Sequence, residues 1–257
     1  MRESSGRNPM SATPVTWRSR VRYFLLARLD RSSELGLGLT MSVLLFAGGI
    51  WAFSGLLEDV LEAESLVRWD IASTNWFHAH QPAWAVQFFH AVTQLGSPVA
   101  WVVFILVVTW LVSRHDRLLL WVWIATNVGG VILQLVLKSS VHRTRPAHAS
   151  TYLHGTTYSF PSGHAMNSTI LYVLLAYMLS TIFEWRGARR VVAYGSAGFI
   201  SLAVGLSRLV LGMHFPSDVV AGLAAGGAWL AACLSVLHVV RWRALARRAP
   251  TTSRPAA

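Results

Sequence analysis

The sequence predicts an all-α integral membrane bundle of six transmembrane helices with both termini in the cytoplasm. Three observations carry that expectation. Of 257 residues, 54% are hydrophobic and only 13% are charged, roughly half the charged share of an ordinary water-soluble domain. The apolar residues gather in six runs close to the roughly 20 residues that a spanning helix needs. The charges fall in short clusters between those runs, as a bilayer requires and a soluble core does not.

The runs are Leu35–Leu57, Ser97–Val112, Leu118–Leu137, Gly163–Phe183, Val191–Leu206 and Ser217–Val240. They divide the chain into a basic head (1–34), a membrane domain (35–240) and a basic tail (241–257) expected to be disordered. Within the head, Trp17–Arg31 sets Tyr23, Phe24, Leu25 and Leu26 among arginines. It reads equally as an amphipathic helix on the membrane surface and as a solvated basic segment. The head is too long and polar, and the first run too long, for a cleavable signal peptide. Cys233 is the single cysteine, which excludes an intrachain disulfide and a cysteine-based metal site.

Orientation follows from Lys and Arg. Six spans put the head, the tail and the loops Arg114–Arg117 and Glu184–Arg190 on one side, which holds 17 of the 22 basic residues. That side is expected to be cytoplasmic, and the other loops to face outward. The net charge of +11 is explained by this distribution, so nucleic acid is not an expected partner.

The outward face collects an unusual set of residues. Lys138, the only lysine, ends the third run, and Arg143, Arg145 and Pro146 follow it. Phe160-Pro161-Ser162-Gly163-His164 opens the fourth run, Ser207-Arg208 closes the fifth, and His214-Phe215-Pro216-Ser217-Asp218 leads into the sixth. From Leu118 to Val240 the only carboxylates are Glu184, on the opposite side, and Asp218. The face therefore reads as several cations, two histidines and one acid. Arginine grips phosphate oxygens in pairs and lysine adds a point charge. Pro161-Ser162-Gly163 at a helix start offers backbone N–H groups and a hydroxyl to an anion, although ordinary helix initiation also explains it when taken alone. His214 and Asp218 stand four residues apart. The carboxylate can hold one imidazole nitrogen and leave the other free, whether His214 lies inside the helix or just ahead of Pro216. The bland alternative for Asp218 is an ion pair with Arg208 or another nearby arginine.

Lys138-xxxxxx-Arg145-Pro146, Pro161-Ser162-Gly163-His164 and Ser207-Arg208-xxxxx-His214-xxx-Asp218 together resemble the signature of the type 2 phosphatidic acid phosphatase superfamily, in residue type, spacing and order. The resemblance implies a membrane lipid phosphatase. It makes His214 the nucleophile that forms a phosphohistidine, Asp218 its orienting carboxylate, and His164 the general acid and then base. It makes Lys138, Arg145, Ser162, Gly163 and Arg208 the phosphate-binding set, with Arg143 an optional helper, and it implies no metal or other cofactor. A compact six-span chain resembles a bacterial inner-membrane member with its site facing the periplasm or exterior. The expected partners are the bilayer and a lipid phosphate, of the undecaprenyl pyrophosphate or the phosphatidic acid and phosphatidylglycerophosphate type. A lipid phosphotransferase using the same phosphohistidine, and a non-catalytic phospholipid carrier, are the rival functions. The long outer segment Glu58–Gly96, acidic and then aromatic, is expected to lie at the interface, as a rim around the headgroup or as a plain anchor.

Overall fold

The computed structural model describes residues 36–62, 64–147, 149 and 158–248. Among them all regular structure is helical, as the sequence predicts: α1 (Leu37–Glu62), α2 (Glu64–His80), α3 (Ala83–Gln94), α4 (Pro98–Ser113), α5 (Arg117–Ser140), α6 (Gly163–Ile182), α7 (Gly187–Val210) and α8 (Pro216–Arg248). Among the described residues, six stretches are long and apolar enough to cross a membrane: α1, α3 with α4, α5, α6, α7, and α8 as far as Leu245.

The chain divides into two compact units, residues 1–41 with 238–257 and residues 42–237. In the first, the described residues are the start of α1 and the last turns of α8. Gly38 faces the His238 ring so closely that an added Cβ would stand 3.0 Å from Cε1. The tail departs from expectation here. Residues 241–248 continue α8, because Arg, Ala and Leu are strong helix formers and nothing in Arg241–Arg248 breaks the turn. The proposed amphipathic segment Trp17–Arg31 and the remainder of the tail, 249–257, lie outside the described residues.

The second unit holds the bundle. Its centre is α6, buried over 61% of its most apolar window, whereas α1 is buried over 6%. Trp123, Leu171, Leu174 and Met178 form one fully enclosed cluster, and Phe160, Met166, Ile170 and Ala221 form another nearer the site. On the outside, Trp51, Val99, Val191 and Phe199 are all more than 70% exposed. So large an apolar surface suits lipid and not water. Helices α6 and α8 meet at a pair of glycines one turn apart. A Cβ on Gly222 would lie 2.6 Å from the Ser162 carbonyl oxygen, and one on Gly226 would lie 2.6 Å from that of Met166. Small residues at this spacing let two helix backbones touch.

Local chemistry sets the helix ends. Ser97 caps α4 by accepting from the Ala100 N–H, with Pro98 in its first turn. Asp116 caps α5 by accepting from the Leu118 and Leu119 N–H groups at 2.7 and 3.4 Å. These are the side chains expected at such positions.

The segment 58–96 differs most from the sequence reading. It is helical through most of its length, and α3 joins α4 to make the second span longer than Ser97–Val112. Alternating aromatic and polar residues hid that helix. The break between α3 and α4 falls at Leu95–Ser97, where the Leu95 carbonyl accepts the Tyr172 hydroxyl of α6 at 2.7 Å.

Candidate active site

The three sequence blocks are stitched together by backbone and side-chain hydrogen bonds. The Ser159 N–H donates to the Arg143 carbonyl at 2.9 Å, tying the α5–α6 loop to the approach of α6. The Ser162 N–H donates to the Asp218 carbonyl at 2.9 Å, tying the start of α6 to the first turn of α8. Arg145 Nη1 donates to the Met213 carbonyl at 2.8 Å, tying the loop to the α7–α8 turn.

That last turn is a glycine-dependent helix stop. Gly212 has φ of 63°, its N–H bonds the Leu209 carbonyl, and the Met213 N–H bonds the Arg208 carbonyl, both at 2.9 Å. This is the pairing of a left-handed C-terminal cap, which glycine adopts without steric cost. It closes α7 just after Val210 and delivers His214 two residues past Gly212, just before Pro216 opens α8. Of the two geometries left open by the sequence, His214 ahead of the helix is the one adopted.

His214 and Asp218 are both buried. His214 Nδ1 lies 3.4 Å from Asp218 Oδ2, which also accepts the Phe215 N–H at 2.9 Å. A proton on Nδ1 is thereby directed at the carboxylate, leaving the Nε2 lone pair on the far side of the ring. Arg145 Nη1 stands 3.4 Å from that Nε2. The two readings of Asp218 hold together, because its other oxygen, Oδ1, accepts from Arg143 at 2.6 Å. The partner is Arg143 and not Arg208.

Burial holds the His214 imidazole well below its ordinary value, at about 4; Asp218 opposes that shift, and Arg145 and Arg208 reinforce it. The Arg145 guanidinium is likewise lowered by burial, against the pull of Asp218. The groups that act on His214 are thus Asp218 from α8, Arg208 from α7, Arg145 from the loop and His164 from α6. Between pH about 6.5 and about 4, the unfolded chain takes up a proton that the folded ring refuses. The stability contributed by neutral His214 is therefore complete above about pH 6.5 and lost progressively as pH falls toward about 4. Thermal unfolding in detergent across this window should show a falling midpoint, with the acid slope reduced in His214→Gln.

Lys138, at the end of α5, feels the charges of Arg145, Arg208 and Asp218, and His164 feels those of Arg208, His214, Lys138 and Arg145. All eight predicted site residues thus meet at one end of the bundle. Arg208 is buried; its Nη1 donates to Thr93 Oγ1 of α3 at 2.9 Å, and its Nε has no partner among the described residues. Ser162 Oγ is also buried without a partner. Pro161-Ser162-Gly163 offers less backbone than the sequence suggests. Pro161 has no N–H, and that of Ser162 is already bonded to Asp218, so Gly163 and the Ser162 hydroxyl carry the anion-binding potential. Gly163 packs against Gln134, where a Cβ would come within 3.1 Å of the amide.

Three residues of the site were missed in the sequence. Gly96, at the α3–α4 break, gives His164 its room: a Cβ there would lie 2.6 Å from Val204 and 3.2 Å from the His164 ring. Thr93 orients Arg208. Asp70 of α2, fully buried, accepts from Arg143 Nη2 at 2.7 Å and from the Ser217 N–H at 3.1 Å. The face thus has a second acid where the sequence suggested one. Arg143 is held between these two carboxylates. Among the described residues no three His, Cys, Asp or Glu side chains group to hold a metal ion.

Known proteins are similar to this chain. The family model described as the PAP2 superfamily matches residues 117–242. Phosphatidylglycerophosphatase B of Bacillus subtilis is 39% identical over 95 residues, 37% of this chain and 46% of that protein. Decaprenylphosphoryl-5-phosphoribose phosphatase of Mycolicibacterium smegmatis is 33% identical over 106 residues, 39% of this chain and 52% of that one. Lipid A 1-phosphatase of Rhizobium etli is 31% identical over 124 residues, 44% and 47% of the two chains. The chain spans about half the length of these relatives. The crystal structure of a transmembrane PAP2 type phosphatidylglycerolphosphate phosphatase from Bacillus subtilis has the same fold, with a TM-score of 0.63 at 22% identity over 82% of this chain and 98% of that one. The segment of this membrane protein from Arg117 to Trp242, which carries every predicted site residue, is thus a match to the PAP2 superfamily.

Proposed function

We propose that the chain is a lipid phosphatase that works through a phosphohistidine on His214. The observation that carries this reading is the buried His214 itself, backed by Asp218 on Nδ1 and facing the Arg145 guanidinium at Nε2. A histidine that only packs needs no such buttress, and a carrier that only binds a headgroup needs no second histidine.

In the first step Nε2 attacks phosphorus, the N–P bond forms and the P–O bond to the lipid breaks. The departing oxygen takes a proton from His164. In the second step His164 removes a proton from water, the water oxygen attacks phosphorus, and the N–P bond breaks to release phosphate and free His214. Lys138, Arg145 and Arg208 neutralise the charge on the phosphoryl oxygens. The Ser162 hydroxyl and the Gly163 N–H add hydrogen bonds, in the manner of preorganised donors at a developing anion. Three cations gathered at one site repel each other, and a bound phosphate relieves that repulsion. No step calls for a metal.

The substrate is a phosphomonoester or pyrophosphate on a lipid whose tail remains in the bilayer, because the site sits at one end of a lipid-facing bundle. The named relatives act on phosphatidylglycerophosphate, decaprenylphosphoryl-5-phosphoribose or lipid A, which supports this class. The distribution of 17 of 22 basic residues supports cytoplasmic termini and a site on the opposite, outer face of a bacterial inner membrane.

The test is release of inorganic phosphate from phosphatidic acid, phosphatidylglycerophosphate and undecaprenyl pyrophosphate by the purified chain in detergent, with a chelator present. Turnover of at least one lipid is expected, unchanged by the chelator and blocked by vanadate. Activity that disappears with chelator and returns with magnesium would refute the metal-free mechanism. Transfer to an added alcohol in preference to water would make the chain a phosphotransferase.

A further inference from the structure

We propose that Asp70 is a positioning residue that keeps the charge of Asp218 available to His214 by holding Arg143 in an ion pair of its own. The proposal rests on the reading of His214 as nucleophile.

The geometry is a closed circuit. Arg143 Nη2 donates to Asp70 Oδ2 at 2.7 Å, while Nη1 donates to Asp218 Oδ1 at 2.6 Å and to Ser217 Oγ at 2.7 Å. The Ser217 hydroxyl passes its own hydrogen to Asp70 Oδ2, and its N–H donates to Asp70 Oδ1 at 3.1 Å. Both carboxyl groups are fully buried, and the guanidinium lies with its carbon 4.4 Å from the Phe215 ring centre. These contacts leave the other oxygen of Asp218, Oδ2, to His214 Nδ1.

The circuit matters through its charge. Attack by Nε2 leaves a proton on Nδ1, so the phosphorylated ring becomes positive. In a buried site that charge needs a nearby negative one. Asp218 with Arg143 alone sums to zero. Asp70 with Arg143 and Asp218 sums to one negative charge, and its point nearest the ring is Asp218 Oδ2. Asp70 therefore acts on the reaction through Arg143 and Asp218, from a helix that contributes no other charge to this circuit. A simpler role, stapling α2 to the first turn of α8, would use the same hydrogen bonds but would not depend on charge.

A double-mutant cycle separates the two roles. The full chain in detergent is assayed with the best lipid substrate as wild type, Asp70→Asn, Arg143→Gln and the double variant. His214→Ala serves as the reference, and unfolding temperatures are measured in parallel. Asparagine keeps the shape and one acceptor, enough for the Ser217 N–H, but removes the charge and replaces the second acceptor with a donor. Asp70→Asn is expected to lower kcat by about 30-fold or more with KM within about threefold, since the affected charge appears only during reaction. Adding Arg143→Gln removes the cation that then cancels the charge of Asp218, and kcat is expected to recover by at least about fivefold. A staple predicts the reverse, a double variant no faster than the slower single one, and that result overturns the proposal.

If Asp70→Asn does not fold, Arg143→Gln decides alone. Asp218 keeps its charge in that variant, so kcat should stay within about tenfold of wild type. A loss of about 100-fold or more, the size expected of a phosphate-binding arginine, overturns the proposal. Should His214→Ala retain turnover, the nucleophile itself is misassigned. Should it be inactive while Asp70→Asn runs at the wild-type rate, only the role of Asp70 falls.

Discussion

Replacement of His214 by alanine is expected to lower kcat by about 10⁴-fold or more, with the protein still folded in detergent. The size follows from what is removed. Loss of a covalent nucleophile deletes the reaction path and not one contact within it, and in enzymes with coupled catalytic groups such a deletion costs up to about 10⁶-fold. His214 is buried, so its removal also leaves a cavity of a few atoms and frees Asp218 Oδ2 from one partner. That oxygen still accepts the Phe215 N–H, and Oδ1 still accepts from Arg143, so the carboxylate is not stranded and the fold should survive. The measurement is phosphate release together with phosphoenzyme trapping by rapid acid-free quench. Wild type should accumulate an acid-labile, base-stable phosphohistidine, and His214→Ala should accumulate none. Near-normal turnover in the variant would eliminate the mechanism.

Arg208→Ala is the second large effect, with an expected fall in kcat/KM of about 10²- to 10³-fold, the range for removing one preorganised donor from a developing anion. Arg208 is the most enclosed of the three cations that line the site, and Thr93 holds one end of its guanidinium while Nε is left without a partner. A buried donor in that state is costly unless a ligand completes it, so the residue should contribute more to a bound phosphoryl group than to the resting fold. Thr93→Val should show a weaker version of the same defect, because the guanidinium would be present but free to turn. Vanadate affinity should fall in both variants in the same order. An Arg208→Ala enzyme with unaltered vanadate affinity would remove this residue from the phosphate-binding set.

These two expectations were readable before any coordinates, for a physical reason. A bilayer tolerates charge only at defined depths, so cations, histidines and a carboxylate at the ends of apolar runs stand out. An up-and-down chain then brings alternate ends to one face with no further information. Lys138, Arg145, His164, Arg208, His214 and Asp218 were all found that way. The six spans were plain too, except for the α3 part of the second, since each must be apolar whatever it packs against.

Asp70 was not readable, and neither were Thr93 or Gly96. Asp70 is one of several acids in an amphipathic segment, and only the docking of α2 onto the α7–α8 turn separates it from Glu58 or Glu64. Thr93 and Gly96 lie where an apolar helix breaks, and hydropathy cannot say which neighbour faces the break. The same limit explains Arg143, which the sequence set among the phosphate ligands' helpers and the structure turns toward two carboxylates. Composition and spacing report which residues must avoid lipid, because that depends on each residue alone. The partner of a buried charge depends on which helix approaches it, and that is a property of the packed bundle, settled by close contacts such as those at Gly222 and Gly226.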